Sequence, residues 1–276
     1  MSQPRPNCTG ADFLCEGGRL IGMVHVGATP GTPRSEKSVG ELVDDAVVEA
    51  RKLAQAGFDG LIVENMHDAP YVHGDQLGPE QTAVMTIVAS AVRETFEGPV
   101  GVQILSGGNC HALASAYATG SSFIRCENFV FSHIADEGLL AEAEAGSLLR
   151  YRRSIGAENV AILTDIKKKH ASHAVTADIS IRDAIEAAEF FGTDGVIITG
   201  TATGQPASID DLKEARRSAS VPVLVGSGVT PDSVKQLLDH AHALIVGSFI
   251  KTDGKWYQPV DPDRAEQIVR ARDGAG

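Results

Sequence analysis

Acidic, basic and amide side chains stand at the ends of short apolar runs, in a spacing that suits proton transfer. Asp165 and Lys167 are two apart at the end of the run NVAILTDI, and side chains two apart on a strand share a face with Leu163. A buried Asp165 needs a cationic partner, for which Lys167 and Arg125 are the candidates. A carboxylate–lysine pair of this kind suits general acid–base catalysis, because burial and mutual charge move both pKa values. Glu64, Glu127 and His25 end other apolar runs and are the candidate assistants. Arg125 shares a strand face with Glu127 and suits orienting a carboxylate or phosphate, or stabilising negative charge in a transition state. Asn65, Gln103, Lys169, His170, Thr199, Gly200 and Thr203 complete the rim as candidate substrate-binding residues.

A second group of residues suits anion binding. Val221 to Lys251 reads as an apolar strand, a Gly226-Ser227-Gly228 turn, a short helix starting at Pro231, a second strand and a Gly247-Ser248 turn. Two such turns at the ends of buried strands let backbone N–H groups approach a phosphate closely.

Other readings of the same residues stay open. The charged rim also suits a structural ion-pair network that closes one end of a barrel. One amine among Lys167, Lys168 and Lys169, if desolvated, suits a Schiff base with a carbonyl substrate. His25 and His170 with Glu64 suit a divalent metal and hydrolysis, although strand one carries a single histidine and lacks the His-x-His pair of metallohydrolase barrels. No metal or other cofactor is predicted. Cys126 lies on the opposite strand face from Arg125 and reads as a packed thiol. No G-x-G-x-x-G or P-loop pattern opens a helix, so neither a dinucleotide nor nucleotide hydrolysis gains support.

The elements that must carry these groups alternate along the chain. Strands are predicted at Arg19 to Val26, Phe58 to Asn65, Pro99 to Leu105, Ser122 to Phe129, Asn159 to Ile166 and Thr193 to Gly200, before the two in the glycine-turn stretch. Helices are predicted at Ser38 to Gly57, Pro79 to Phe96, about Cys110 to Thr119, Glu137 to Ile155, Ser180 to Phe191, Ser208 to Ser218 and Pro262 to Ala271. Eight strand–helix units favour a closed (β/α)8 TIM barrel over a doubly wound open sheet. In such a barrel chemistry gathers at the strand ends, and the turns after strands seven and eight commonly take phosphate. Residues 1–18 are read as a loosely packed leader and 19–276 as one barrel domain.

The 276 residues suit a single barrel, and a hydrophobic fraction of 43% supplies its core. A formal charge of −12 argues against nucleic-acid and anionic-membrane partners while leaving a small anionic ligand open, since local donors override global charge. No stretch reaches the roughly 20 apolar residues of a membrane span. Cys8, Cys15, Cys110 and Cys126 form no CxxC pair, which fits free thiols in a reducing, cytoplasmic setting. A homo-oligomer stays open.

The strand-end phrases GMVHVGATPG, DGLIVENMHDAP, FIRCENF, ADEG, DIKKKH, DGVIITGTATG, PVLVGSGVT and IVGSFIKTDG, in that order from Leu20 to Asp263, resemble the BtpA/SgcQ family. The resemblance implies a β/α barrel related to phosphate-binding barrels. One family name implies a role in photosystem I biogenesis, and the company of sugar-metabolism genes implies a phosphorylated carbohydrate. The GSGVT and VGSFIK turns also resemble those of tryptophan-synthase α-type and phosphosugar-isomerase barrels. The resulting expectation is an isomerase or lyase acting on a sugar or ribosyl phosphate. A non-enzymatic assembly factor with a vestigial phosphate site and a metal-dependent hydrolase are the alternatives.

Overall fold

The computed structural model describes residues 9–200 and 203–274. Eight strands run parallel and close on themselves: β1 (Arg19–His25), β2 (Gly60–Glu64), β3 (Val100–Gln103), β4 (Phe123–Cys126), β5 (Ala161–Ile166), β6 (Gly195–Ile198), β7 (Val223–Val225) and β8 (Ala243–Val246). β1 pairs with both β2 and β8, which closes the barrel. The outer ring is α1 (Val39–Ala56), α2 (Pro79–Thr95), α3 (Asn109–Thr119), α4 (Ala145–Ser154), α5 (Ile181–Phe191), α6 (Ile209–Ser218), α7 (Val234–Leu238) and α8 (Pro262–Asp273). Among the described residues no helix is long and apolar enough to cross a membrane.

Local sequence sets where these helices begin and end. Ser38 and Glu41 form a reciprocal capping box on α1, and Gly57 ends the helix in the left-handed region. Ser180 and Asp183 cap α5 in the same way. The helix expected from Pro231 is α7, which begins only at Val234 after a turn closed by Ser233 and Thr230.

Alternation along the strands divides the apolar residues between two cores. Leu20, Val24, Leu61 and Val63 face the helices, whereas Ile21, Met23, Ile62, Phe123, Leu163 and Ile197 fill the barrel. Phe123 occupies space left open by its register partner on the neighbouring strand β3: a Cβ on Gly101 would come within 2.2 Å of its ring. Carried one step further, the inward series reaches His25, Glu64, Arg125, Asp165 and Thr199.

Two expectations are corrected here. The described part of the leader is not loose. Thr9–Leu14 forms a 3-10 helix whose Leu14 is fully buried with the barrel-interior residues, and Phe13 stacks on Phe123 at 5.6 Å. Residues 1–8 lie outside the described residues. Nor does a single helix run from Glu137 to Ile155. His133–Ala135 and Gly138–Leu140 form an antiparallel hairpin that also pairs with Ala171–Ser172, and α4 starts at Ala145. Tertiary pairing overrides helix propensity there, because Glu137 at the hairpin turn engages Ser106 and Lys168.

Candidate functional site

The ends of the strands surround a cavity of about 250 Å³. His25, Glu64, Arg125, Lys169, Thr203, Gly226, Ser227, Gly228, Gly247 and Ser248 line it, so the acid–base rim and both glycine turns meet in one space. Met23, Met66, Phe249 and Arg264 join them.

Arg125 and Asp165 form the most buried ion pair of the rim. The guanidinium Nε lies 3.2 Å from Oδ1 and Nη2 lies 3.1 Å from Oδ2. Burial alone would lower the Arg125 pKa, but Asp165 and Glu64 outweigh it and hold the guanidinium above its usual value. Asp165 therefore has the partner the alternation required. That partner is Arg125, not Lys167.

Lys167 departs from the expected geometry for a backbone reason. β5 ends at Ile166, and Lys167 adopts a positive φ of 49°, so the alternation stops before it. Its ammonium donates to the Ile179 carbonyl, behind the barrel mouth. The chain then delivers Lys169 to the cavity in its place. Asp165 and Lys167 do not form a proton-transfer pair.

Glu127 is likewise engaged away from the cavity. It accepts from the Gly107 N–H at 3.1 Å and lies 3.2 Å from the Lys168 ammonium, which also lies 3.5 Å from Glu137. The Lys168 ion pair holds its carboxyl below the ordinary range against the opposing effect of burial, the larger single influence. This is the structural network that the charged rim also suggested, carried by Lys168 and Glu137 and fastening the hairpin.

Glu64 and His25 face each other at the cavity wall. Their strands place them in register, and Glu64 Oε2 lies 3.4 Å from His25 Nε2. His25 Nδ1 lies 2.9 Å from the Trp256 carbonyl, which only accepts, so Nδ1 carries the hydrogen and neutral His25 presents the Nε2 lone pair to Glu64. Burial raises the Glu64 pKa, opposed by Arg125 and Lys169. Burial, with Lys251 adding to it, pushes His25 well below its ordinary value. Both shifts favour uncharged forms, which suits a pair that shares one proton.

Next to this pair stand the turns after β8 and β7, because β8 is the other neighbour of β1 and a Cβ on Gly247 would lie 3.7 Å from the His25 ring. Ser248–Ile250 is a single 3-10 turn, so its first N–H groups have no acceptor within the turn itself. Gly228 has a φ of +69°, and a Cβ there would lie 2.3 Å from Pro206, so glycine is required where this turn meets the loop after β6. The Ser227 hydroxyl is used internally: it accepts from Gly200 N–H at 2.8 Å and donates to the Gln205 carbonyl at 2.9 Å. Arg264, in the first turn of α8, donates to the Phe249 carbonyl at 2.6 Å and stacks 4.2 Å over its ring. It adds a cationic group to the cavity, beside the turn after β8.

The remaining rim residues divide. Asn65 spends its amide on the Leu105 backbone and Asp68, and so holds the loops after β2 and β3. Thr199 accepts from the Lys169 N–H at 3.0 Å. His170 is exposed and binds Thr203 at 2.8 Å. Gln103 is buried, with Oε1 unpartnered among the described residues, and does not line the cavity. Gly200 stays behind Ser227. Cys126 is buried, and burial raises its pKa, as a packed thiol requires. Among the described residues no three His, Cys, Asp or Glu groups converge as metal ligands. Sequence reasoning missed Arg264, whose one signal was its place in the first turn of the helix after the eighth strand.

The sequence matches the BtpA family over residues 17–274. An uncharacterised mitochondrial protein of Caenorhabditis elegans is 42% identical over 256 residues, with 91% of each chain covered. The photosystem I biogenesis protein BtpA of Synechocystis sp. is 35% identical, with 91% of this chain and 87% of the relative covered. Among solved structures, (S)-3-O-geranylgeranylglyceryl phosphate synthase from Thermoplasma acidophilum, in complex with its substrate sn-glycerol-1-phosphate, matches with a TM-score of 0.61 at 14% identity, covering 95% of this chain and 96% of that one. Thiamine phosphate pyrophosphorylase from Pyrococcus furiosus matches with a TM-score of 0.57 at 14% identity, covering 93% and 96%. At such identities the structural likeness establishes the barrel fold.

Proposed function

The chain belongs to the BtpA family, and on that footing we propose that it is an enzyme acting on a small phosphorylated metabolite, a sugar phosphate or ribosyl phosphate, by isomerase or lyase chemistry. The phosphate lies against the turns at Gly226–Gly228 and Gly247–Ser248, with Arg264 supplying charge. Glu64 and His25 exchange a proton with the carbon skeleton or its oxygens. Arg125, fixed from behind by Asp165, faces the negative charge that develops on an oxygen when that proton leaves.

The observation that carries this reading is the sharing of one cavity by Glu64, His25 and Arg125 with the two glycine turns and Arg264. The phosphorylated substrate bound in the Thermoplasma barrel lends the phosphate assignment further support. Its test is a melting-temperature screen against phosphorylated sugars and nucleotides, since a ligand of the folded state raises apparent stability. The active compound is then assayed for turnover with wild type and E64Q, and loss of turnover with binding retained is the expected outcome.

The name of the Synechocystis relative supports a second reading, a biogenesis factor with a vestigial site. That reading predicts no shift with any phosphorylated compound, and a cellular role untouched by E64Q and H25Q.

A further inference from the structure

Three consecutive lysines follow β5, and the fold treats them differently. Lys167 donates to the Ile179 carbonyl, and Lys168 lies between Glu127 and Glu137 at 3.2 and 3.5 Å. Lys169 alone of the three lines the cavity, beside Glu64 and Arg125. Its backbone N–H is anchored on Thr199 Oγ1, while among the described residues no hydrogen bond or ion pair engages its ammonium. A partly buried lysine with no direct ion-pair or hydrogen-bond partner among the described residues, in a pocket that also holds an arginine, is a group kept for the ligand.

We propose that Lys169 is the nucleophile that forms an imine with the carbonyl carbon of a phosphorylated ketone or aldehyde held in this cavity. This rests on the reading of the cavity as a phosphometabolite site and specifies its chemistry. The free amine is the required form, and the surroundings favour it: burial, the largest influence, and the neighbouring Arg125 charge lower the Lys169 pKa and outweigh the carboxylates of Glu64, Asp165 and Glu127, which raise it.

The bond changes balance with groups already in the cavity. The Nζ lone pair adds to the carbonyl carbon while the carbonyl oxygen takes a proton, giving a carbinolamine. Glu64 is the proton donor. The carboxylate this leaves on Glu64 takes one of the two nitrogen hydrogens and returns it to the departing hydroxyl, which leaves as water, so the net change is amine, carbonyl and one proton from Glu64 to protonated imine and water. Protonated on nitrogen, the imine accepts the electron pair released when an adjacent C–H or C–C bond breaks, giving an enamine. Reprotonation at carbon, with His25 and Glu64 returning the proton, and hydrolysis by one water regenerate the amine.

The test is reductive trapping on the intact protein. Dihydroxyacetone phosphate, ribulose 5-phosphate, glyceraldehyde 3-phosphate and unphosphorylated dihydroxyacetone are each incubated with it in sodium cyanoborohydride, and adducts are located by peptide mass. The expected result is an adduct concentrated on Lys169 with a phosphorylated carbonyl, at least tenfold weaker with dihydroxyacetone and absent from K169R. The melting temperature of K169R checks that this variant folds. Equal trapping of dihydroxyacetone and its phosphate at Lys169 would uphold the imine and overturn the phosphate assignment. Absence of an adduct on Lys169 with every carbonyl compound would overturn the imine, and a melting-temperature rise with the same phosphates would then leave the phosphate reading standing.

Discussion

Arg125 and Asp165 meet edge to edge across neighbouring strands, Nε 3.2 Å from Oδ1 and Nη2 3.1 Å from Oδ2, with both side chains buried. The carboxylate occupies one edge of the guanidinium while Arg125 still lines the cavity. Under the proposed function Asp165 is a positioning residue, whose contribution is the orientation and charge of Arg125. Removing one partner of a buried pair strands the other, at a cost of about 3–5 kcal/mol. D165N is expected to lose stability on that scale in urea unfolding, and to bind a phosphorylated ligand more weakly. A change below about 1 kcal/mol, outside that range, would show that the pair does not hold Arg125.

His133 makes the stability of the hairpin sensitive to pH. It is buried with Nε2 unpartnered among the described residues, and burial, then the Lys168 charge, lowers its pKa from 6.5 to about 4. The unfolded chain therefore binds a proton on this histidine at a higher pH than the folded protein does. The destabilisation is absent above about pH 6.5, grows as pH falls, and is complete below about pH 4. Melting temperatures of wild type and H133Q across this window should diverge as pH rises, with the wild type gaining more. Parallel curves would contradict the assignment.

The barrel was legible because apolar strands, capped helices and glycine stops repeat in register, each with its own local cause. The period of two carried the reading inward as far as Asp165 and found its link to Arg125 as one of two options. It failed one step later, because β5 ends at Ile166 and the positive φ at Lys167 leaves no mark on residue type. The hairpin at His133–Leu140 was hidden for a similar reason: its alanine- and leucine-rich continuation reads as helix, and only the ion pairs of Glu137 and Glu127 with Lys168 reveal the alternative. Arg264 joined the site through the fold of α8 onto the turn after β8, a contact between elements that spacing does not encode.

Leu14 tests the packed N-terminal segment. Truncating a fully buried leucine leaves a cavity and costs about 2–5 kcal/mol. L14A should unfold at correspondingly lower denaturant while retaining ligand affinity, because the segment packs beneath the barrel interior and the cavity lies at the strand ends. Wild-type stability in L14A would restore the loosely packed leader.

Gly228 separates backbone geometry from phosphate contact. Alanine there meets both a positive φ and a Pro206 contact of 2.3 Å. G228A should lose about 2 kcal/mol or more of stability and weaken phosphate binding together, whereas G40A, on the open face of α1, should do neither. Unfolding curves and inorganic phosphate titrations on the two variants provide the comparison.

The central claim is that the turns after β7 and β8, with Arg264, hold the phosphate of a small metabolite. Calorimetric titration of D-ribose 5-phosphate and D-ribose into wild type and R264M tests it most directly. The account predicts binding of the phosphate ester, no measurable binding of the free sugar, and at least a tenfold weaker Kd in R264M, equivalent to about 1.4 kcal/mol. Equal affinity for the two sugars, or an R264M Kd unchanged from wild type, would contradict it.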